Sequence, residues 1–224
     1  MKKYAVIVAG GSGLRMGTQI PKQFLPLQDK PVLWYTLQAF LEAFNDLYII
    51  LVLPEAHLMT GQEILRSTID PDRVWMTVGG ETRFHSVRNG LQHIHQHSIV
   101  FVHDGVRCLL TPELIRRCYA SAIERGNAIP SIGAVDTIRM STIDGSVPVD
   151  RNKIRIIQTP QTFYSDILKA AFEQEFDERF TDEASVVEKL GVKINLIEGE
   201  NTNIKITQPI DILIAEKILE ERNF

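Results

Sequence analysis

The sequence predicts an α/β fold: a doubly wound, mostly parallel sheet with a projecting β-arm. Three observations carry that reading. Short, almost wholly apolar runs alternate with longer segments of helical periodicity. The apolar runs have no polar face, as strands covered on both sides should. The alternation breaks once, after Pro130, where a short polar hairpin pattern intervenes.

Taken in order, residues 4–9, 47–53, 74–78 and 99–103 read as four buried strands. Helical patterns lie between and after them, at 32–44, 55–67, 84–95 and 112–125. The last has a sound start signal, with Thr111 as N-cap, Pro112 in the first helical position and Glu113 in the first turn. Two short strands, 136–140 and 147–150, then flank the turn pair Asp144-Gly145. They form an arm spanning about 134–157. A lone hairpin is marginal in water, so the arm should pack on something, and a partner subunit is one candidate. Helices at 165–174 and 182–190, a strand at 192–197 and an amphipathic helix at 209–222 complete the chain. Thr181 reads as the N-cap of the second of these helices. With no internal repeat or linker, residues 1–224 read as one domain.

Composition sets limits. The chain has 224 residues, 44% of them hydrophobic, enough for one sizeable core. A formal net charge of −4 argues against nucleic-acid binding, which wants a basic surplus. Cys108 and Cys118 lack metal-type spacing and read as reduced thiols. The first apolar run is too short for a signal sequence or a membrane span, so the expectation is a cytoplasmic protein that engages no membrane.

The most informative segment follows the first strand: Ala9-Gly10-Gly11-Ser12-Gly13-Leu14-Arg15-Met16-Gly17, then Pro21-Lys22-Gln23-Phe24. Glycines leave room for backbone N–H groups to approach a phosphate. In doubly wound folds, ligands bind at the carboxyl ends of the strands. The loop lacks the Lys-Ser/Thr of a P-loop, and its Gly11-x-Gly13-x-x-x-Gly17 spacing fails the dinucleotide pattern. Arg15 and Lys22 supply cations that could reach back to a phosphate.

These motifs, with Lys30-Pro31-Val32-Leu33 after them, resemble the opening of the Rossmann-like sugar-phosphate nucleotidyltransferases. The Pro-Lys-Gln-Phe form is similar to the cytidylyltransferases acting on 2-C-methyl-D-erythritol 4-phosphate or on ribitol 5-phosphate. The run Phe180-Thr181-Asp182-Glu183-Ala184-Ser185-Val186-Val187-Glu188 resembles the methylerythritol enzymes of isoprenoid precursor synthesis. Taken alone, that run is a helix start.

The resemblance assigns further roles. Ala9, Gly10, Gly11 and Gly13 would bind the nucleotide, and Gly80, Glu81 and Ser86 would read the cytosine. His103-Asp104-Gly105-Val106-Arg107 ends the fourth strand, where Asp104 could hold Mg²⁺ or a hydroxyl and Arg107 a polar substrate group. The family has proline where this chain has Cys108. Thr159 would lie near the acceptor, and Thr137 and Arg151 would reach a neighbouring subunit's site if the arms of a homodimer exchange. Lys205, between two apolar residues of a short strand, would sit on the α-phosphate. Asp211 reads as a helix-start charge.

The chemistry implied is attack of a phosphate monoester on the α-phosphorus of CTP with loss of pyrophosphate. Arg15, Lys22 and Lys205 are the catalytic candidates and Mg²⁺ the cofactor. Lys22 and Lys205 are placed at the α-phosphate and Arg15 nearer the leaving group. Three rivals stand beside this: the same transfer to ribitol 5-phosphate, a nicotinamide-dependent oxidoreductase, and a non-catalytic nucleotide-sensing module. The alternating His93, His95 and His97 invite a metal reading, but they fall at a helix end before a polar loop.

Overall fold

In a computed structural model, residues 1–11, 20–68 and 70–222 are described. β1 (Lys2–Val8) is followed by a two-residue pair, β2 (Pro26–Leu27) with β3 (Lys30–Pro31), and by α1 (Val32–Ala43). Then come β4 (Leu47–Leu53), α2 (Leu58–Leu65), β5 (Val74–Val78), α3 (Arg83–Leu91), β6 (Ser98–Asp104) and α4 (Pro112–Arg125). The second half supplies β7 (Asn127–Gly133), the arm strands β8 (Ile138–Thr142) and β9 (Gly145–Val149), β10 (Arg155–Ile157) and β11 (Gln161–Tyr164). It ends with α5 (Ser165–Phe172), α6 (Glu183–Glu188), β12 (Leu196–Glu198) and α7 (Pro209–Arg222).

The main sheet runs β10-β7-β11-β6-β1-β4-β5, with β12 also on β7. β6, β1, β4 and β5 are mutually parallel, and β11 runs antiparallel to β6. Strand residues alternate between two buried faces, which is why these runs carry no polar side. Ala5, Ile7, Ile49, Leu51 and Phe101 pack with Leu33, Leu37 and Phe40 of α1 and Leu114 and Cys118 of α4. Tyr4, Val6, Ile50, Val52, Val100 and Val102 pack with Phe84 and Val87 of α3, Leu168 and Phe172 of α5, and Val186 of α6. A third cluster, including Leu27, Val106, Cys108 and Ile206, seats α7 through Ala215.

Several expectations shift. The helix expected at 55–67 starts as a 3₁₀ turn, Glu55–His57, before α2. The turn of the arm is Ile143-Asp144, one residue earlier than the Asp144-Gly145 expectation, because Thr142 pairs with Gly145. Asp182, not Thr181, caps α6: its carboxylate accepts from the Ser185 N–H at 2.9 Å, and Ser185 Oγ accepts in return from the Asp182 N–H. The stretch around Lys205 carries no strand. Apolar residues do not gather on one side of α7, since Ile210, Leu213 and Ile214 stay exposed while Ala215 is buried. β7, β10 and β11 were not expected at all.

Candidate active site

A cavity of about 550 Å³ opens at the carboxyl ends of β1, β4, β5 and β6. Ala9, Gly10 and Gly11 line it after β1, Pro54 and Glu55 after β4, and residues 79–83 after β5. Asp104 closes it at the end of β6, and Lys22 and Lys205 enter from outside the sheet. The chain turns toward β4 from β1 and toward β7 from β6, so this is the switch point of the sheet. The two strands approach closely there. The Gly105 N–H donates to Val8 O at 2.9 Å, and a side chain at Gly105 would bring a Cβ within 2.9 Å of Ala9 Cβ.

The base-reading candidates are fixed by a small loop. Ser86 Oγ accepts from the Gly80 N–H at 3.1 Å, and a Cβ at Gly80 would lie 2.4 Å from His85 Cβ. Only glycine keeps this loop folded back on the start of α3. Thr82 caps that helix, its hydroxyl accepting from the His85 N–H at 3.3 Å. Glu81 stands exposed at the cavity edge.

Asp104 is the electrostatic centre. Lys205 Nζ lies 2.8 Å from Oδ2, Arg83 Nε donates to Oδ1 at 3.1 Å, and Arg107 Nε is 3.8 Å from Oδ2. Burial alone would raise this carboxyl, but Arg83, Lys205 and Arg107 together hold it far below the usual carboxylate range. Arg83 in turn grips Glu183 with both terminal nitrogens, Nη1 to Oε1 and Nη2 to Oε2. Glu183 and Asp104 overcome the effect of burial and keep the Arg83 guanidinium firmly charged.

Below Asp104 lies a buried relay. His103 Nε2 is 3.3 Å from Arg107 O, which can only accept, so Nε2 carries the proton. Nδ1 is then the acceptor for the Thr159 hydroxyl at 2.9 Å, and Thr159 Oγ1 itself accepts from the Asp104 N–H at 3.1 Å. Burial drives His103 down to about 3, which keeps the ring neutral. The Thr159 hydroxyl is therefore spent on fixing the end of β6. Arg107 is similarly occupied: Nη1 donates to Asn203 O at 2.9 Å and Nη2 to Ile157 O at 3.4 Å.

Those bonds also secure the segment that carries Lys205. Ile206 N–H donates to Val106 O at 2.9 Å, and Lys22 Nζ donates to Ile206 O at 2.8 Å. Asp211 Oδ2 accepts from the N–H groups of Thr207 and Gln208 and from the Thr207 hydroxyl, so it is a helix-start anchor as its position suggested.

Of the sequence candidates, Ala9, Gly10, Gly11, Lys22, Gly80, Glu81, Ser86, Asp104 and Lys205 line the cavity. Gly13 and Arg15 lie outside the described residues. Arg107 and Thr159 stand behind Asp104 and do not line the cavity. Thr137 and Arg151 are exposed on the arm, also outside the lining, with Arg151 Nη1 donating to Val135 O at 2.6 Å. His93 and His95 are exposed, and His97 Nδ1 lies 2.6 Å from Asp166 Oδ2. Cys108 is core, its thiol pushed up to about 12 by burial.

Sequence reasoning missed Arg83 and Glu183. Arg83 sits between Glu81 and Ser86 at the first position of α3, and a cation inside a predicted base-reading loop was a usable signal. Glu183 gave none, since a carboxylate in a first helical turn has a sufficient local explanation.

Residues 4–221 match the family model described as IspD, 2-C-methyl-D-erythritol 4-phosphate cytidylyltransferase. The chain is 48% identical over 219 residues to the protein of that name from Bacteroides fragilis, covering 98% of this chain and 100% of that one. It is 47% identical to the Bacteroides thetaiotaomicron protein of the same name, with the same shares of each chain covered. Among solved structures, the 4-diphosphocytidyl-2C-methyl-D-erythritol synthase of Anaerococcus prevotii superposes with a TM-score of 0.84 at 28% identity, covering 98% of both chains.

Proposed function

The chain belongs to the 2-C-methyl-D-erythritol 4-phosphate cytidylyltransferase family and transfers CMP from CTP to that acceptor in isoprenoid precursor synthesis, and from this premise we propose how its residues divide the work. The observation that carries the assignment is the convergence of Lys22, Lys205 and the Gly80–Ser86 loop on one cavity. Cytosine lies on the loop, where backbone groups can read its N4 amine and N3. The triphosphate lies over residues 9–11, toward Lys22 and Lys205.

The acceptor phosphate oxygen attacks the α-phosphorus in line, the bond to the β-phosphate oxygen breaks, and pyrophosphate leaves. A phosphate is already a nucleophile and needs no general base. The obstacle is repulsion between two anions, which fixed cations reduce where charge builds in the transition state. Lys205 serves both states of the site: it rests on Asp104 and is two-fifths exposed, so it can transfer to an arriving phosphate. Arg15 would neutralise the leaving pyrophosphate. Asp104, held ionised, is a hydroxyl acceptor for the sugar alcohol, and Arg107 and Thr159 support it from behind.

The described residues include no grouping of three or more His, Cys, Asp or Glu side chains able to hold a metal. Asp104 is faced by three cations. The donor set therefore suits a Mg²⁺ carried in on the triphosphate, whose oxygens and water would supply most ligands, with Asp104 as the protein carboxylate that would complete them. When bound, the ion offsets triphosphate charge.

Thr137 and Arg151 are assigned to the acceptor of a neighbouring subunit's site. Support comes from their position on an arm whose Val135, Met140 and Ile143 are exposed. A homodimer joined through the arms would cover those side chains. Two buried free thiols suit a cytoplasmic location. No helix among the described residues is long and apolar enough to cross a membrane.

Pyrophosphate release with CTP and Mg²⁺ tests the reading, comparing 2-C-methyl-D-erythritol 4-phosphate with ribitol 5-phosphate. Strong preference for the first is expected. Preference for the second would overturn the acceptor assignment and leave the transfer chemistry intact.

A further inference from the structure

We propose that Glu183 is a positioning residue for the transfer: through Arg83 it sets the place of Asp104 and keeps the Arg83 guanidinium off the nucleotide phosphates. The inference rests on the functional reading above.

Glu183 does not line the cavity. Its side chain is 1% exposed, yet its carboxylate is engaged by both terminal nitrogens of Arg83, a residue 100 positions away in sequence. The third point of the guanidinium, Nε, donates to Asp104 Oδ1 at 3.1 Å. One planar cation thus ties a buried carboxylate to a site carboxylate, with the fixed geometry that a fork of five donors imposes.

The far end of this tie is itself immobilised. Gln161 of β11 donates to Asp182 Oδ2 at 2.8 Å and accepts from the Ala184 N–H at 2.7 Å, so both neighbours of Glu183 are bonded to the strand beside β6. Asp182 and Ser185 close the capping box around it. Arg83 begins α3 immediately after the Thr82 cap. The connection therefore runs between three anchored points and not through a surface loop.

Stability does not account for such a pair, because a buried ion pair is commonly matched or exceeded by apolar residues of the same volume. Its position does. Asp104 is contested by Lys205 at 2.8 Å and Arg83 at 3.1 Å. Glu183 compensates the Arg83 charge, which leaves the Asp104 charge for Lys205 and the acceptor. Without Glu183, Arg83 would draw Asp104 away from Lys205. Arg83 lines the cavity, so it would also gain freedom to hold phosphate oxygens where they do not react. The expected signature is a slower reaction with nucleotide binding no weaker.

The experiment is steady-state pyrophosphate release together with calorimetric CTP titration, on the wild-type chain, Glu183→Gln and Glu183→Asp. Glu183→Gln keeps the shape and removes the charge. It should lose about tenfold or more in kcat with the CTP dissociation constant unchanged or lower, a split that uniform loosening of the site would not give. Glu183→Asp restores the charge and should recover part of the lost kcat. A Glu183→Gln enzyme within about twofold of wild-type kcat, or one that loses only CTP affinity, would overturn the proposal. Glu183→Asp no faster than Glu183→Gln would do the same. Should Glu183→Gln not fold, Arg83→Lys decides, since one ammonium cannot bridge both carboxylates: the same kcat loss is expected and wild-type kcat refutes. A wild-type chain inactive with every acceptor would count against the functional reading, and weaker CTP binding by Glu183→Gln would still count separately against this one.

Discussion

Lowering the pH should destabilise this protein through His103 in particular. The ring is fully buried, edge-on to Phe40 at a centroid distance of 5.3 Å, and its two nitrogens are committed to Arg107 O and the Thr159 hydroxyl. Burial moves it from 6.5 in its ordinary state to about 3. A group whose folded value is depressed contributes stability that is present above its unfolded value. That stability is lost as pH falls toward the folded value, because the unfolded chain takes up the proton first. The window is therefore from 6.5 down to about 3. Between about pH 7 and about pH 5 the linkage amounts to ~2 kcal/mol, and at the acid end to ~4–5 kcal/mol.

The test is urea unfolding of wild-type and His103→Asn at about pH 7 and about pH 5, followed by tryptophan fluorescence. Asn places an acceptor near the position of Nδ1, so it can keep the Thr159 bond, but it does not titrate. It will be less stable at neutral pH, since Arg107 O loses its donor. The quantity of interest is the difference in pH dependence, because carboxylates contribute to acid destabilisation in both proteins. Wild type should lose ~2 kcal/mol more than the variant over that interval. Equal losses would refute the neutral, proton-on-Nε2 assignment of His103.

Two further outcomes follow from the site and the arm. Lys22→Ala should lower kcat by about 10²-fold or more, as removal of a transition-state cation does, whereas a change confined to KM would assign Lys22 to uniform binding. If the arms of a homodimer exchange, mixing inactive Arg151→Ala with inactive Lys22→Ala should restore about a quarter of wild-type activity, since half the dimers are mixed and each holds one intact site. Light scattering that gives a monomeric mass, or no recovery on mixing, removes Thr137 and Arg151 from the site.

What the sequence revealed and what it concealed divide along physical lines. β4 was readable to the residue because a strand buried on both faces has no polar interruption, and α4 because Thr111, Pro112 and Gly126 mark both ends. β5 was readable because its short run is rich in β-branched and aromatic residues, even though Trp75 and Val78 are exposed at the sheet edge. β7 was hidden by Pro130, which cannot donate to a ladder. The strand tolerates it by changing partners there, pairing β11 at Asn127 and Ala128 and β10 from Ser131 onward. β10 and β11 flank Gln158-Thr159-Pro160, which reads as a loop. Gln158 is nevertheless buried, and its amide bonds the backbone of Glu200 in both directions. Gly10, Gly11 and Lys22 were legible in the glycine-rich loop and the cations beside it, and Gly80 and Lys205 through the family resemblance. Glu183 and His103 did not, since each acts through a partner that only the fold supplies.

The site also shows why two lysines with similar assignments should behave differently when replaced. The segment 203–207 belongs to no strand. It is held by the Ile206 N–H, by Arg107 on Asn203 O, by Asp211 on Thr207, and by Lys22 on Ile206 O. Lys22 is therefore both a cavity cation and a tether of the segment that presents Lys205, and its ammonium is buried. Lys205 is the part being presented, partly exposed and resting on Asp104. On the proposed assignment, removing Lys205 would take one cation from the reaction and leave the segment anchored. Removing Lys22 would take one cation and loosen the other. The two losses are thus not independent, and a double substitution should cost less than the product of the single effects.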